Sequence, residues 1–324
     1  MTSNTMRTLM KQVATRMFAA TPLALLCAAS VVMSSCAAAP ETGSRAFGTP
    51  EQAAQALIDI TNAGNVQELQ TLFGPDSQEI IDSSDPATGS KNREVFLAAI
   101  AEGWELVDAD AGRKSLVIGN ERWPFPVPLA KDGDRWRFDT AAGTEEILAR
   151  RIGQNELALI QIGRSYVGAQ RRYAEQGHDG KPAGLYARTF WSEAGKQNGL
   201  YWPDTQGQKR SPMGDLVAQA ANEGRPLRTD GTEQPVPFHG YYFKILSAQG
   251  AAATGGAKPY VVNGDMSGGF GLVAWPAQYN RTGIMTFIVN QDGVLFQKDL
   301  GPETATAATA MTLYDPDGSW SRVP

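Results

Sequence analysis

The strongest constraint on the fold lies in residues 240–301, where runs of β-branched and aromatic residues alternate with turn residues at short intervals. In the run 283–290 most successive side chains are apolar, which is typical of a strand covered on both faces. Asp292-Gly293 separates this run from another at 294–299, and Asp-Gly in that place indicates a β-hairpin because glycine readily adopts positive φ. Residues 240–301 therefore predict an antiparallel sheet.

A single long helix is predicted ahead of this sheet. Residues 143–173 contain no proline, and their apolar residues recur at three- to four-residue steps, with the arginines largely at other positions. Glu145 and Glu146 lie near the predicted start and Arg171 and Arg172 near the end, where the helix dipole favours each charge. The pattern predicts a helix whose apolar side packs against the sheet.

The connection between the long helix and the sheet, residues 177–235, is rich in Gly, Pro, Asp and Asn. Within it, residues 184–191 and 213–223 are predicted to form short helices, and residues 303–311 are predicted to form another after the sheet. Residues 141–324 thus predict one domain, a long helix packed on an antiparallel sheet.

Residues 47–140 predict a separate α+β domain. Thr49-Pro50-Glu51-Gln52 marks a helix start, because Thr49 can cap the helix, proline fits its first position and Gln52 completes a capping box. Further short helices follow, and strands are then predicted at 104–108, 114–119, 126–130 and 135–139. Helices followed by an antiparallel meander form an α+β layout. Its element order is similar to the cone-shaped nuclear-transport-factor-like and cystatin-like folds, and that resemblance implies an interior pocket.

The N-terminus has the layout of a secretory signal. Arg7, Lys11 and Arg16 precede a mostly apolar, uncharged run at residues 17–33. The run ends in Val32-Met33-Ser34-Ser35-Cys36-Ala37, which resembles the lipobox of bacterial lipoproteins, in which the cysteine thiol is acylated. The sequence therefore predicts a lipoprotein signal peptide at 1–35, lipidation of Cys36 and a tether at 36–46.

The same segment predicts the cellular address. Ala37, rather than Asp, follows Cys36, and by resemblance to Gram-negative lipoproteins this implies sorting to the outer membrane, facing the periplasm. Cleavage without lipidation, giving a soluble periplasmic protein, and display at the cell surface are the alternatives. The sequence thus predicts that the protein associates with the membrane through its N-terminal lipid anchor.

Charge argues against nucleic acid as a partner. The formal net charge is −5, and no cluster of Lys and Arg stands out. Removal of residues 1–35 takes away three basic residues and no acidic ones, which brings the net charge to −8. It also removes Cys27 and leaves Cys36 alone, so neither an internal disulfide nor a thiolate metal site is expected. No cofactor is predicted.

Few residues in the sequence suggest a catalytic or metal-binding site. A catalytic or zinc site built from His178 and His239 needs the fold to bring both together with Asp179 or another carboxylate. The alternative is a turn histidine and a strand-entry histidine. Asp315-Pro316-Asp317-Gly318 has the spacing of a calcium loop. It lacks the distal Glu and further oxygen ligands, so a plain turn is favoured over a metal site at Asp315 and Asp317.

An aromatic-rich set in the second domain is the other candidate for binding. It consists of Trp191, Tyr201, Trp202, Tyr241, Tyr242 and Trp275. Such residues suit a carbohydrate or peptide platform, and they equally suit core packing and buried interfaces. His239, Tyr241 and Trp275 are the binding candidates that follow from the sequence.

Two kinds of resemblance cover the chain. The segments NELALIQIGRSYVGAQRRYAEQG and GIMTFIVNQDGVLFQKDLG resemble the globular fold of type IV pilins and type II secretion pseudopilins. Nearly the whole mature chain resembles a bacterial family of secreted proteins known as domain of unknown function 2950, through ERWPFPVPLAKDGDRWRFDTAAGTEEILARRIGQNELA, NGLYWP, HGYYFKILSAQG and VAWPAQYNRTGIMTFIVNQDGVLFQKDLG. The family implies these boundaries and a secreted address, and it implies no particular activity.

The sequence thus predicts a bacterial cell-envelope lipoprotein that acts as a non-catalytic interaction or assembly module, with an envelope protein as its partner. Two alternatives stay open. One is a protein that binds a small molecule or peptide in the cone of the first domain, and the other is a hydrolase centred on His239.

Overall fold

The computed structural model describes residues 43–81, 86–110, 112–203, 210–222 and 236–324. The predicted signal peptide 1–35, Cys36 and the tether up to residue 42 lie outside these residues. By its internal contacts the chain divides into two compact units, Met1–Ser83 with Asn92–Gly143 and Ser84–Lys91 with Thr144–Pro324. Among the described helices, none combines the length and the apolar character needed to cross a membrane.

The first unit begins with short helices. Thr49 caps the first of them, since its side chain accepts a hydrogen bond from the Gln52 N–H, and Gly64 ends it in the left-handed conformation. Asn65 caps the next helix through the Glu68 N–H. The helices of this part of the chain are α1 (Pro50–Ala63), α2 (Val66–Phe73), α3 (Gln78–Ile81) and α4 (Pro86–Glu102).

The sheet of the first unit is antiparallel, with the order β1-β2-β4-β5 and with β3 paired to β2. Its strands are β1 (Trp104–Asp110), β2 (Arg113–Ile118), β3 (Trp123–Pro124), β4 (Leu129–Asp132) and β5 (Arg135–Phe138). The β4–β5 hairpin turns through Gly133, whose φ of 59° lies in the left-handed region that glycine tolerates. Trp123 on β3 keeps 40% of its surface exposed.

Apolar side chains occupy the interior of the first unit. The rings of Phe73 and Phe138 meet edge to face with 5.1 Å between centroids, and Phe125 approaches Phe138 at 6.4 Å. Leu72, Leu116, Val127 and Leu129 are each fully buried among them. These side chains form the hydrophobic core of the first unit. The predicted cone pocket stays a prediction.

The long helix, α5 (Thr140–Ala174), starts three residues before the predicted position. Asp139 Oδ1 accepts the Ala142 N–H at 3.1 Å, which is the hydrogen bond of an N-cap. After this helix the chain runs without regular structure through residues 175–203, here termed the connecting segment, and then forms α6 (Gly214–Asn222). The predicted helix at 213–223 is confirmed, apart from its last residue, which lies outside the described part.

A five-stranded antiparallel sheet with the order β15-β13-β12-β11-β6 forms the centre of the second unit. Its strands are β6 (Tyr241–Leu246), β11 (Gly271–Pro276), β12 (Met285–Asn290), β13 (Phe296–Asp299) and β15 (Ser321–Arg322). All six residues of β11 are buried. The predicted antiparallel sheet and the Asp292-Gly293 hairpin between β12 and β13 are confirmed.

Helix α5 covers one face of this sheet. Leu159 of the helix shares a buried cluster with Leu272 and Phe287 of the sheet, and Tyr166 donates a hydrogen bond to the Gly271 carbonyl at 3.1 Å. Nearer the start of α5, Glu156 Oε1 accepts the Ile284 N–H at 2.9 Å and the Met285 N–H at 3.0 Å. The predicted packing of the long helix on the sheet is therefore observed within the second unit.

Smaller elements cover the opposite face. Helix α7 (Thr304–Ala310) packs on β11, and Lys244 donates to the Thr309 carbonyl at its end with a distance of 2.6 Å. A small mixed sheet, ordered β14-β7-β8, lies beside it, and β9 and β10 form a separate hairpin. Their bounds are β7 (Ala248–Gln249), β8 (Lys258–Pro259), β9 (Val261–Val262), β10 (Asp265–Met266) and β14 (Leu313–Tyr314). The architecture as a whole is α+β.

The helix predicted at 184–191 is wrong. The structure has no helix there; Tyr186 pairs with Met266, Trp191 pairs with Tyr201, and the φ of Gly184 is 92°. The physical reason is that the backbone of this stretch hydrogen-bonds to partners elsewhere in the second unit, which leaves no ladder within the stretch itself.

Candidate functional site

An open cleft of about 370 Å³ lies in the second unit. Its walls are the end of α5, the connecting segment and the β9–β10 hairpin, and each contributes polar side chains. The volume falls within the range of roughly 300–1,000 Å³ that is usual for small-molecule sites. We therefore build the candidate site from the residues of this cleft.

Gln170 fixes the connecting segment to the long helix. This fully buried side chain donates to the Ala187 carbonyl at 2.8 Å and accepts the Ala187 N–H at 2.9 Å. Its amide thereby provides the two hydrogen bonds that a neighbouring strand would otherwise give to Ala187. Gln170 also donates to the Tyr166 hydroxyl at 3.1 Å. The residues on either side of Ala187 are thus positioned as one wall of the cleft.

Close backbone approach brings the two ends of the loop 191–199 together. An added Cβ at Gly199 would lie 2.6 Å from the Trp191 carbonyl carbon and 2.7 Å from the Ser192 nitrogen. No real Cβ tolerates such distances, so glycine is required for this packing. The Gly199 N–H donates to Ser192 Oγ at 2.9 Å across the same contact.

His178 lies in the cleft as a fixed ring. It stacks on Tyr173 with 4.1 Å between ring centroids and an angle of 19°. Its Nε2 lies 3.0 Å from the Tyr173 carbonyl oxygen, an acceptor, so Nε2 carries the proton and donates. Its Nδ1 lies 3.5 Å from Gln197 Oε1. A neutral ring with its proton on Nε2 leaves Nδ1 as an acceptor, so the Gln197 oxygen does not hydrogen-bond to it and Nδ1 keeps its lone pair.

Tyr173, on which His178 stacks, forms the adjoining part of the cleft wall. Its hydroxyl donates to the Gln197 carbonyl at 3.0 Å, and the neighbouring Asp179 carboxylate accepts the Gln197 N–H at 2.8 Å. Burial raises the pKa of Tyr173 to about 12, and the negative charge of Asp179 adds to the rise. The hydroxyl thus stays protonated at neutral pH and acts as a hydrogen-bond donor.

Each charged side chain that lines the cleft has a polar partner in the second unit. Lys181 forms an ion pair with Asp265, and Arg188 donates to the Gly264 carbonyl at 2.8 Å. Glu193 bonds to Lys196 and accepts from Asn198 Nδ2 at 2.9 Å. The hydrogen bond from Lys196 lowers the pKa of the Glu193 carboxyl.

Aromatic surface completes the walls. Trp191 is 36% exposed, and its ring packs edge-on against Tyr201 with 5.1 Å between centroids. Tyr186 packs against buried Phe270 in the same manner at 4.8 Å. Both aromatic residues line the cleft, and each ring packs against another ring of the second unit.

The binding candidates taken from the sequence lie elsewhere. Tyr241 is fully buried and donates to the Met285 carbonyl at 3.0 Å, and Trp275 packs against Tyr242 with 6.0 Å between ring centroids. His239 occupies a turn with a φ of 47° and packs against Phe238. None of the three lines the cleft that contains His178. Their role in binding stays a prediction.

The two aspartates near the C-terminus accept backbone hydrogen bonds, Asp315 from a distant segment and Asp317 within its own turn. Asp315 Oδ1 accepts the Ala252 N–H at 2.8 Å, and Asp317 Oδ1 accepts the Ser319 N–H at 2.8 Å. Hydrogen bonds from Ser319 lower the pKa of Asp317. Over the described residues, no group of three or more His, Cys, Asp or Glu side chains is arranged to hold a metal ion.

Sequence reasoning missed most of the cleft. Of its walls, His178 and Asp179 were named as parts of a catalytic or zinc site, with a turn histidine as the alternative, and Trp191 was named as one of an aromatic set. A usable signal was the crowding of Gly, Pro, charged and aromatic residues in 177–203, since irregular segments fixed on a rigid scaffold commonly carry function.

Comparison with known proteins gives one match. The family model described as Protein of unknown function (DUF2950) matches residues 44–323. Neither the curated proteins nor the solved structures contain a match. The likenesses to pilins and to cone-shaped folds therefore stay predictions.

Proposed function

The chain belongs to the DUF2950 family of proteins of unknown function, and from its cleft and its N-terminal sequence we propose that it is a lipid-anchored binding protein of the bacterial envelope. Its second unit takes up a ligand or partner group in the cleft beside α5, without catalysing a reaction on it. The N-terminal lipid on Cys36 keeps this binding unit at the outer membrane.

The observation that carries the proposal is an open cleft whose polar groups are already fixed in place. Gln170 positions the wall at Ala187, Gly199 closes the loop that carries Trp191, and Asp179 fixes Gln197. Preorganised walls lower the entropy lost on binding, because few side chains need to become ordered. Such a site is suited to recognition.

The same contacts favour binding over catalysis. A catalytic histidine bonds to a nucleophile or to an orienting carboxylate, whereas the contacts of the His178 ring are with the Tyr173 carbonyl and the Gln197 side chain. Asp265 and Glu193 are paired with lysines. A hydrolase centred on His239 receives no support from the cleft, because His239 is not one of its lining residues.

Retention on envelope material tests this proposal. The full chain with Cys36→Ala, which lacks the anchor, is mixed with washed envelopes, and the bound fraction is measured for Trp191→Ala and for Trp123→Ala. Both tryptophans are partly exposed, and Trp123 belongs to the first unit. We expect Trp191→Ala to lose retention and Trp123→Ala to keep it. Equal retention of the two variants would show that the cleft is not the binding site.

A further inference from the structure

We infer that the cleft binds a neutral, hydroxyl-rich ligand, namely a short saccharide. This inference rests on the proposed binding function and specifies the chemical class of the ligand. Three properties of the cleft support it: its balanced charge, its unused acceptor capacity and its exposed aromatic surface.

Balanced charge disfavours an ionic ligand. The carboxylates of Asp265 and Glu193 are neutralised by Lys181 and Lys196, and the Asp179 carboxylate accepts a backbone N–H. A cation entering the cleft would compete with lysines already in place. An anion would meet three carboxylates against the guanidinium of Arg188, which already donates to the Gly264 carbonyl. An uncharged ligand avoids both electrostatic costs.

The same paired groups retain hydrogen-bonding capacity. An ionised carboxylate offers about four lone-pair sites. In the described part of the chain Asp265 accepts from Lys181 and Asp179 accepts from the Gln197 N–H, which leaves further sites on each carboxylate. Arg188 and Asn198 also line the cleft and carry planar N–H donors. Planar groups with donors and acceptors side by side match the neighbouring hydroxyls of a sugar ring, each of which donates and accepts.

The aromatic surface supplies the complementary contact. Sugar rings have one face of C–H groups, which packs on an aromatic ring as other apolar groups do. Trp191, at 36% exposure, is supported by Tyr201 and so offers such a ring at little entropic cost. Tyr186, braced against Phe270, lines another part of the cleft.

A peptide fits these walls less well. Peptide recognition commonly uses an unpaired strand edge for backbone hydrogen bonds together with apolar pockets for alternate side chains. In the cleft the backbones of Tyr186 and Trp191 already pair with Met266 and Tyr201.

Calorimetric titration tests the ligand class. The full chain, in a detergent without a sugar headgroup, is titrated with maltotriose, cellotriose, mannotriose and triacetylchitotriose. Trigalacturonate and trialanine serve as the acidic and peptide probes. We expect at least one neutral trisaccharide to bind, and Trp191→Ala to weaken its affinity by about tenfold. Trp123→Ala should leave the affinity unchanged, and Trp191→Phe, which keeps a ring against Tyr201, should recover part of the loss.

Each other result decides against the inference. If only trigalacturonate or trialanine binds in a manner that depends on Trp191, the saccharide class is wrong and the proposed binding function stands. If no probe binds while retention on envelopes depends on Trp191, the class is again wrong and the function stands. If neither titration nor retention depends on Trp191, both proposals fail.

Discussion

Gln170 shows how one side chain decides the shape of the cleft. It lies on a buried face of α5, and its amide satisfies both backbone groups of Ala187, which belong to a stretch without regular structure. A buried backbone donor or acceptor without a partner costs about 1–3 kcal/mol. The connecting segment can therefore lie on the helix only because an amide is placed opposite Ala187.

Replacing this amide should open the wall. Gln170→Leu keeps the volume but removes both hydrogen bonds to Ala187, so we expect the free energy of unfolding to fall by about 3 kcal/mol. Gln161→Leu is the matched control, because Gln161 lies exposed on the same helix, and its effect should stay within about 0.5 kcal/mol. Urea denaturation measures both. Similar losses in the two variants would contradict the role of Gln170.

Tyr173 makes the free energy of unfolding depend on pH in the alkaline range. Its pKa is raised from 10.0 to about 12 in the folded chain, so an unfolded chain loses this proton at lower pH than the folded one. The stabilisation is fully present below pH 10 and is lost as the pH rises from about 10 to about 12. Other buried tyrosines, including Tyr260, contribute in the same direction.

Tyr173→Phe tests this linkage. The variant loses the hydrogen bond to the Gln197 carbonyl, which should cost about 1 kcal/mol at pH 8. Between pH 10 and 12 its free energy of unfolding should decline less steeply than that of the wild type. Chemical denaturation at several alkaline pH values gives both slopes, and parallel slopes would show that Tyr173 does not contribute.

Among the secondary-structure elements, periodic sequence patterns predicted helices and strands correctly, whereas one helix in the irregular connection was predicted wrongly. The long helix was predicted because its apolar repeat and lack of proline are local properties, and only its start was misplaced, since Asp139 was assigned to a strand rather than to the N-cap. The helix predicted at 184–191 failed because its backbone partners, Gln170 and Met266, lie far away in sequence. For the same reason the cleft could not be predicted from spacing.

The contact between α5 and the sheet should carry much of the stability of the second unit. Leu159 is 2% exposed and belongs to the cluster that joins the helix to β11 and β12. We expect Leu159→Ala to lower the free energy of unfolding by about 3 kcal/mol. Gln154→Ala, at an exposed position of the same helix, should change it by no more than about 0.5 kcal/mol. Thermal or urea unfolding that does not separate the two variants would refute this packing role.

For the whole molecule, the proposed localisation at the outer membrane depends on Cys36. Cys36 lies in the sequence pattern of a lipobox. Acylation of its thiol would hold this acidic protein on the membrane. If the lipoprotein carries several acyl chains, they anchor it without a second membrane-binding signal. Cys36→Ala should abolish labelling by radioactive fatty acid and release the chain into the soluble periplasmic fraction. Cys27→Ala is the matched control and should leave both unchanged. Membrane retention of the Cys36 variant would contradict the anchor.

The central claim is that the cleft beside α5 is where the molecule binds, and hydrogen–deuterium exchange of the intact chain tests it most directly. Exchange is measured by mass spectrometry with and without washed envelope material. We predict slower exchange in residues 176–199 and 262–266, which form the walls of the cleft, and no such slowing in Trp191→Ala. Unchanged exchange in both segments, with protection appearing instead in another part of the chain such as β3, would contradict the claim.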